Sequence, residues 1–231
     1  MNILCIETST NCCSAAICKD GVAVVSKENL TGANHASELP VFIEQLLATA
    51  RANQWQIDAV ALSEGPGSYT GLRIGTSIAK GLCYGMNIPL IPINTLQILC
   101  QSVDNRHLTG GTNVIYCPMI DARRMEVYTA LYDASTLNPI TEVTAQIIND
   151  QSFSEELKVT EIYYFGNGAD KCQSIIKSPN AQFIPNIVPQ ASFMGLLAER
   201  SAALDVKQMA YYEPFYLKEF VPAPSHIKGL K

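Results

Sequence analysis

A glycine-rich segment at residues 65–75 is the most informative place in the sequence for chemistry. It contains five polar or small residues around four glycines and joins a short apolar run to a helical pattern. The free N–H groups and the dipole of a helix that starts in such a loop attract anions, including the phosphates of nucleotides. The segment is neither a P-loop, because no Gly-Lys-Ser/Thr follows, nor a GxGxxG motif. The alternative is a tight turn that lets helix and strand approach closely, and the residues alone leave both open.

The side chains that could act in catalysis do not form a recognisable set. The three histidines are far apart in the sequence, and no Ser/His/Asp or Cys/His arrangement can be assigned by spacing. The eight cysteines contain no CxxC pair and mostly fall within apolar runs. Because a zinc site needs paired Cys/His spacings, we predict reduced thiols in the core and no metal site.

One acidic residue, Asp121, stands at the end of an apolar run and is followed closely by Arg123 and Arg124. A carboxylate and two guanidiniums in this arrangement can bind a phosphate, or they can form an ion-paired turn. The sequence favours the ion-paired turn and leaves the phosphate site open.

The helix predicted after the glycine-rich segment, from about Tyr69 to Met86, is rich in small residues. Gly71, Gly75 and Ala79 recur every four residues, and two further glycines repeat this spacing on another face. Glycine inside a helix costs up to about 1 kcal/mol relative to alanine, so several glycines need a compensating gain. Close contact between helices is the usual gain, either within the fold or between two chains.

The composition indicates a folded protein without a nucleic-acid surface of its own. Hydrophobic residues make up 48% of the 231 residues, which is enough for one large core or two small ones. A net charge of -5 with no run of Lys or Arg is unfavourable for binding RNA without a basic partner. We find neither a signal-peptide pattern nor the roughly 18 apolar residues of a membrane span. We therefore expect a cytoplasmic protein.

The predicted elements fall into two α/β lobes, residues 1–103 and 104–231. The first begins with three strands in quick succession, which predicts an antiparallel meander. A helix with Ser37 as N-cap, a strand at 59–62 and the small-residue helix follow. The polar stretch 104–112 is the expected boundary. Further strands and an amphipathic helix near 191–203, which is a candidate to pack back on the first lobe, complete an RNase H-type pattern in both halves.

Several of these segments, in this order, resemble the TsaB (YeaZ) family. The resemblance is carried by residues 3–9, 35–40, 65–73, 121–128 and 214–217, and it is almost letter for letter at 65–73. It spans nearly the whole chain. It implies a fold of two actin-like (ASKHA, RNase H-type) lobes, with mixed sheets flanked by helices.

The resemblance also implies a function. TsaB proteins pair with a catalytic paralogue, TsaD, and with the ATPase TsaE. Together they transfer a threonylcarbamoyl group to the adenosine beside the anticodon of tRNAs that read codons starting with A. A member of this family would be a scaffold that reaches tRNA only through the complex, forms a homodimer in isolation and has no membrane partner.

A comparison with TsaD implies that this chain has no catalytic residues of its own. In TsaD an N-H-x-x-G-H motif supplies histidines to the catalytic metal, and here Thr95 and Leu99 stand at those two positions. Leucine has no ligand atom, and a hydroxyl alone is a poor ligand for a transition metal. TsaD also has an acidic residue soon after its E-T-S, where this chain has Asn11 and Cys12.

Two sets of site residues follow from the resemblance. The small-residue helix would form the interface with TsaD or a second TsaB, through Tyr69, Leu72, Arg73, Gly75, Thr76, Ile78, Ala79 and Leu82. A nucleotide site shared with the partner would use Glu7, Ser9, Gly65, Gly67 and Asp121. No cofactor is expected to bind tightly, and ATP or ADP only at the interface of the complex.

Two other functions remain open at this point. The chain could be a self-associating nucleotide-binding module, which the lobes and the glycine-rich loop permit. It could also be an enzyme in its own right, a peptidase or a transferase, which would need a nucleophile with a base or a metal site that the sequence does not offer.

Overall fold

The first of two mixed β-sheets is built around the N-terminal strand of the chain. The computed structural model describes residues 1–32, 34–103 and 114–218. The strands of this sheet lie in the order β3-β2-β1-β4-β5. They are β1 (Asn2–Glu7), β2 (Cys13–Lys19), β3 (Val22–Asn29), β4 (Ala59–Gly65) and β5 (Leu90–Asn94). The first three strands are antiparallel, and a tight turn at Asp20 and Gly21 joins β2 to β3, while β4 and β5 run parallel to β1.

The second sheet repeats this arrangement. Its strands are β6 (Val114–Asp121), β7 (Glu126–Thr129), β8 (Tyr132–Asp133), β9 (Thr144–Ile147), β10 (Glu161–Phe165) and β11 (Ala181–Ile184). The order is β11-β10-β6-β7-β9, and β8 pairs with the other end of β6. As β1 does in the first sheet, β6 has an antiparallel hairpin on one side and parallel strands on the other. The expected fold of two lobes with mixed, helix-flanked sheets is confirmed.

Two long helices cover one face of the first sheet. These are α1 (His35–Ala52) and α2 (Tyr69–Met86), and they contact each other. Leu39, Ile43 and Leu46 of α1 pack with apolar side chains of β1, β2 and β4. The predicted N-cap of α1 was wrong. The helix begins three residues earlier, because the carbonyl of Asn34 already accepts the N–H groups of Ser37 and Glu38.

The other face of the first sheet is covered by α3 (Thr95–Gln101) and by a segment from late in the chain. That segment is a 3-10 turn, Ala191–Phe193, followed by α4 (Gly195–Arg200), so it is shorter than the predicted helix. Ala191 donates its N–H to Ser14 Oγ at 2.9 Å, and Ala191, Met194 and Ala198 are buried against the sheet. A short helix, α5 (Val206–Ala210), then packs on α2.

All eight cysteines are buried and unpaired, which confirms the expectation of core thiols. In the part of the chain that the structure describes, no helix is both long and apolar enough to cross a bilayer. The predicted boundary between the lobes, at 104–112, lies outside the described residues, so the division of the chain there stays a prediction.

Candidate functional site

The glycines of the 65–75 segment face the chain's own backbone. Because β1 and β4 are parallel neighbours, the loop after β1 meets the start of α2. A Cβ at Gly67 would lie less than 3.0 Å from the carbonyl oxygen of Ser9, and one at Gly71 equally close to that of Thr8. Real Cβ atoms essentially never approach so closely. The absence of these side chains lets helix and loop come together, and the tight-turn interpretation therefore accounts for both glycines.

The start of α2 is also occupied by hydrogen bonds from within the chain. The N–H of Ser68 donates to the Ser9 carbonyl at 2.6 Å, and the Ser68 hydroxyl accepts from the N–H of Gly71 at 3.3 Å. Thr8 Oγ1 in turn donates to the Gly71 carbonyl at 2.8 Å. Two of the N–H groups that could bind a phosphate are thus already used. The predicted nucleotide site stays a prediction, and these contacts do not support it within a single chain.

Glu7, at the end of β1, is a fully buried carboxylate in this region. Its Oε1 accepts hydrogen bonds from the N–H and the hydroxyl of Ser9, both at 2.5 Å. Its Oε2 has no hydrogen-bond partner among the described residues. Burial raises the pKa of Glu7 above its ordinary value of 4.5, and the hydrogen bonds from Ser9 oppose this rise. Glu7 and Ser9 therefore form a local polar cluster directly beneath the glycine loop.

The raised pKa of Glu7 predicts how its replacement changes stability with pH. Between 4.5 and the raised value the folded protein binds more protons at Glu7 than the unfolded chain, so the free energy of unfolding falls as pH rises. We expect Glu7→Gln to remove this fall, so that the free energy of unfolding of the variant relative to wild type rises with pH above 4.5. Urea unfolding at several pH values measures it, with the exposed Glu44→Gln as control. A wild-type–variant difference that does not change with pH would count against this account.

Half of the predicted partner interface is inside the chain. Leu72, Gly75, Thr76 and Ala79 are buried, and their side of α2 faces the first sheet. A Cβ at Gly75 would lie less than 3.0 Å from Thr8 Oγ1 and 3.1 Å from Leu62. The four-residue spacing of small residues thus serves packing within the fold. These four residues do not present a surface to a partner, and the prediction for them is corrected.

The rest of that predicted set lies at the edges of the helix. Ile78 and Leu82 are half-buried beside α1. Tyr69 contacts Tyr216 from the end of the chain, with ring centroids 5.0 Å apart. The Arg73 guanidinium lies 4.2 Å from the centre of the Tyr69 ring, and its hydrogen bond to Tyr216 raises the pKa of Arg73.

A different face of α2 is open to solvent. It carries Arg73, Ser77, Gly81, Tyr84 and Gly85, all of which are exposed, Tyr84 to 77%. A Cβ at Gly81 or Gly85 would meet no atom within 4 Å. Nothing in the described part of the chain therefore compensates the helix-weakening effect of these two glycines. We call this the open face of α2.

The last described residues pack against the glycine loop, and the sequence analysis did not predict this contact. Phe215 donates its N–H to the Glu64 carbonyl at 2.7 Å, and a Cβ at Gly65 would lie 2.6 Å from the Phe215 carbonyl oxygen. Further on, Lys218 forms an ion pair with Glu126 of the second lobe. The close approach of the Phe215 carbonyl therefore accounts for a glycine at position 65, whose φ is +115. The motif at 214–217 was the available signal, but it did not indicate this contact.

Asp121, the remaining residue of the predicted nucleotide site, has polar partners of its own in the second lobe. Its carboxylate forms an ion pair with Lys171 and accepts the N–H of Arg123 at 3.0 Å, and its own N–H donates to Asn167. The ion-paired turn is therefore observed, but with Lys171 as the partner and not with the neighbouring arginines.

The two positions that correspond to the metal ligands of TsaD are in the interior. Thr95 and Leu99 are both fully buried, and Leu99 packs in the core that joins α3 to the second sheet. Across residues 1–32, 34–103 and 114–218, no three His, Cys, Asp or Glu side chains are arranged to hold a metal ion. Burial also raises the pKa of Cys12 to about 12, so this thiol is not a ready nucleophile.

Comparison with known proteins places the chain in a family. The family model described as TsaD, tRNA N6-adenosine threonylcarbamoyltransferase, matches residues 28–218. The tRNA threonylcarbamoyladenosine biosynthesis protein TsaB of Buchnera aphidicola subsp. Schizaphis graminum is 38% identical over 157 residues, which are 68% of this chain and 72% of that protein. The protein of the same name from Escherichia coli is 38% identical over 132 residues, which are 57% of this chain. This match spans only about half, 55%, of the Escherichia coli protein.

A solved structure agrees with these relatives. YeaZ from Pseudomonas aeruginosa superposes with a TM-score of 0.75 at 25% sequence identity, over 94% of this chain and 99% of that chain. The likeness therefore covers both lobes, including the elements that carry the glycine loop and the open face of α2. The chain thus belongs to the TsaD family of the matching model and, within it, to the TsaB (YeaZ) proteins.

Proposed function

We propose that this chain is a non-catalytic scaffold subunit required for threonylcarbamoyl transfer to the adenosine beside the anticodon of tRNAs that read A-starting codons. It acts by pairing with a TsaD-like paralogue, and a TsaE-like ATPase joins the pair. The names of its TsaB relatives support a role in this modification. The reaction takes place on tRNA, which fits a cytoplasmic protein.

The observation that supports pairing with the paralogue is the open face of α2. Gly81 and Gly85 each weaken the helix by up to about 1 kcal/mol relative to alanine, and no contact within the described chain compensates them. A second helix that packs closely on this face would supply the compensation. The half-buried Ile74, Ile78 and Leu82 beside it would lose their remaining exposure in such a contact. In isolation the same face would pair two copies of the chain.

The catalytic residues would come from the paralogue. The residues at the two metal-ligand positions, Thr95 and Leu99, are packed in the interior and offer no imidazole. A nucleotide would likewise need surfaces from both subunits, because Gly65, Gly67 and Gly71 face protein atoms of this chain. We therefore assign ATP or ADP, if bound, to the interface of the complex and no tightly bound cofactor to this chain.

Transfer to tRNA tests this function. The TsaD-like and TsaE-like proteins of the same organism are incubated with threonylcarbamoyl-adenylate and unmodified tRNA, with and without this chain. We expect no transfer by this chain alone, and a gain on the order of 100-fold when it is added to the other two. The gain should saturate at one chain per paralogue. Equal transfer without this chain, or transfer by this chain alone, would overturn the proposal.

A further inference from the structure

The turn between β6 and β7 contains two consecutive arginines with left-handed backbone. Arg123 has φ +73 and Arg124 has φ +52. Within the described residues, no other two neighbouring non-glycine residues both have positive φ. This conformation is unfavourable for residues with a side chain, and glycine and asparagine are the residues that usually adopt it. Strain of this kind persists where the surroundings impose it, and it is concentrated at functional sites.

A lysine from the second lobe imposes this turn. Lys171 donates from Nζ to the Asp121 carboxylate, to the Arg124 carbonyl at 2.7 Å and to the Glu126 carbonyl at 2.8 Å. The Asp121 carboxylate also accepts the N–H of Arg123 at 3.0 Å. The turn is therefore held by its backbone, and neither arginine side chain takes part in holding it.

Both guanidiniums are left exposed and without a counter-charge. Neither Arg123 nor Arg124 forms a side-chain hydrogen bond or an ion pair with any residue that the structure describes. The two carboxylates of the hairpin are already paired, Asp121 with Lys171 and Glu126 with Lys218. The hairpin tip thus carries two uncompensated positive charges on a chain whose net charge is -5.

We propose that Arg123 and Arg124 bind the phosphodiester backbone of RNA. Guanidinium presents a planar fork of donors that matches phosphate oxygens, and two neighbouring arginines offer two such forks. An exposed hairpin tip does not enclose a ligand, which favours an extended polyanion over a free nucleotide. The contact positions RNA and reads no sequence. This inference rests on the proposed function, because an acidic chain needs a partner to bring RNA to this turn.

The test measures tRNA binding by the assembled complex of this chain with its TsaD-like and TsaE-like partners. The variant R123N/R124G places residues suited to positive φ in the turn and removes both charges. We expect its tRNA affinity to fall roughly 10-fold at low salt, and the slope of log K against log salt to become shallower by about 1.4–1.8. Relief of strain should raise the Tm of the isolated chain by about 2–4 °C.

Two controls separate charge from structure. The variant R123K/R124K keeps both charges and the strained backbone, so it should retain most of the salt slope. K177A/R200A removes two exposed charges elsewhere and should change neither slope nor affinity. Excess inorganic phosphate or ATP should compete no better than their ionic strength predicts, which separates RNA phosphates from free ones.

Each failure points to a different cause. If the complex does not form on gel filtration, the proposed function is wrong and this inference falls with it. If the complex forms but R123N/R124G binds tRNA with the wild-type salt slope, the RNA contact is wrong while the function stands. An unchanged slope together with weaker binding of the TsaE-like protein would show that the arginines bind an acidic protein surface instead.

Discussion

Replacement of Gly71 with alanine is expected to destabilise the protein by about 3 kcal/mol. The added Cβ would lie less than 3.0 Å from the carbonyl oxygen of Thr8, which is backbone at the end of β1 and cannot rotate away. The hydrogen bond from Thr8 Oγ1 to the Gly71 carbonyl ties the two segments together at the same place. To admit the methyl group, the helix must move off the loop and weaken the packing of Leu72 behind it.

The same substitution at Gly81, three turns further along α2, is the matched control. No atom lies within 4 Å of a Cβ there, so Gly81→Ala should stabilise the protein by about 0.5–1 kcal/mol through helix propensity. Urea unfolding measures both variants, and unchanged m-values would show that the denatured state is not the cause. Effects of the same sign and size at Gly71 and Gly81 would contradict the packing described for this helix.

The second large effect is expected on association with the TsaD-like paralogue. Gly81→Arg places a bulky cation at the centre of the open face of α2. The variant should still fold, because arginine has a high helix propensity and no atom of the chain lies within 4 Å of a Cβ at this position. If that face is the interface, the charge is buried without a partner, and the dissociation constant should rise at least about 100-fold, or about 2.7 kcal/mol. Calorimetry or light scattering measures the change.

Val159→Arg is the control for this experiment. Val159 is 82% exposed and lies outside α1 and α2, so its replacement adds the same charge to a surface that is not expected to pair. Its affinity for the paralogue should be that of wild type. If Gly81→Arg has the stability of wild type and binds the paralogue with unchanged affinity, the open face of α2 is not part of the interface. Substitution of Gly75 is unsuitable here, because a side chain there meets Thr8 and Leu62 of the same chain.

Local signals were sufficient to predict the best-defined elements. The antiparallel meander of the first three strands and the bounds of α2 agree with the sequence prediction, because short apolar runs and turn residues are signals that lie within a few residues of the elements they define. The start of α1 was missed since Asn34 begins the helix with its carbonyl and without a side-chain cap. The helix expected at 191–203 is divided at Met194 into a 3-10 turn and α4, and α4 begins at Gly195, where an added Cβ would lie 2.5 Å from the Gly21 carbonyl oxygen.

The partners of the site residues could not be predicted in the same way. Spacing shows that Gly71, Gly75 and Ala79 share a face of α2, but it cannot show whether that face meets another chain or the loop at Thr8. Asp121 and its partner Lys171 are 50 residues apart, so the pattern next to Asp121 suggested the arginines instead. Contacts between distant segments depend on how the two sheets fold, and no local pattern encodes them.

Association with the paralogue tests the central claim most directly. This chain is coexpressed with the TsaD-like protein of its own organism, only one of the two is tagged, and the purified material is examined by gel filtration with light scattering. The scaffold function predicts a one-to-one complex that binds through the open face of α2 and transfers the threonylcarbamoyl group once the TsaE-like protein and tRNA are added. A chain that stays a homodimer and leaves the paralogue in the flow-through would contradict it.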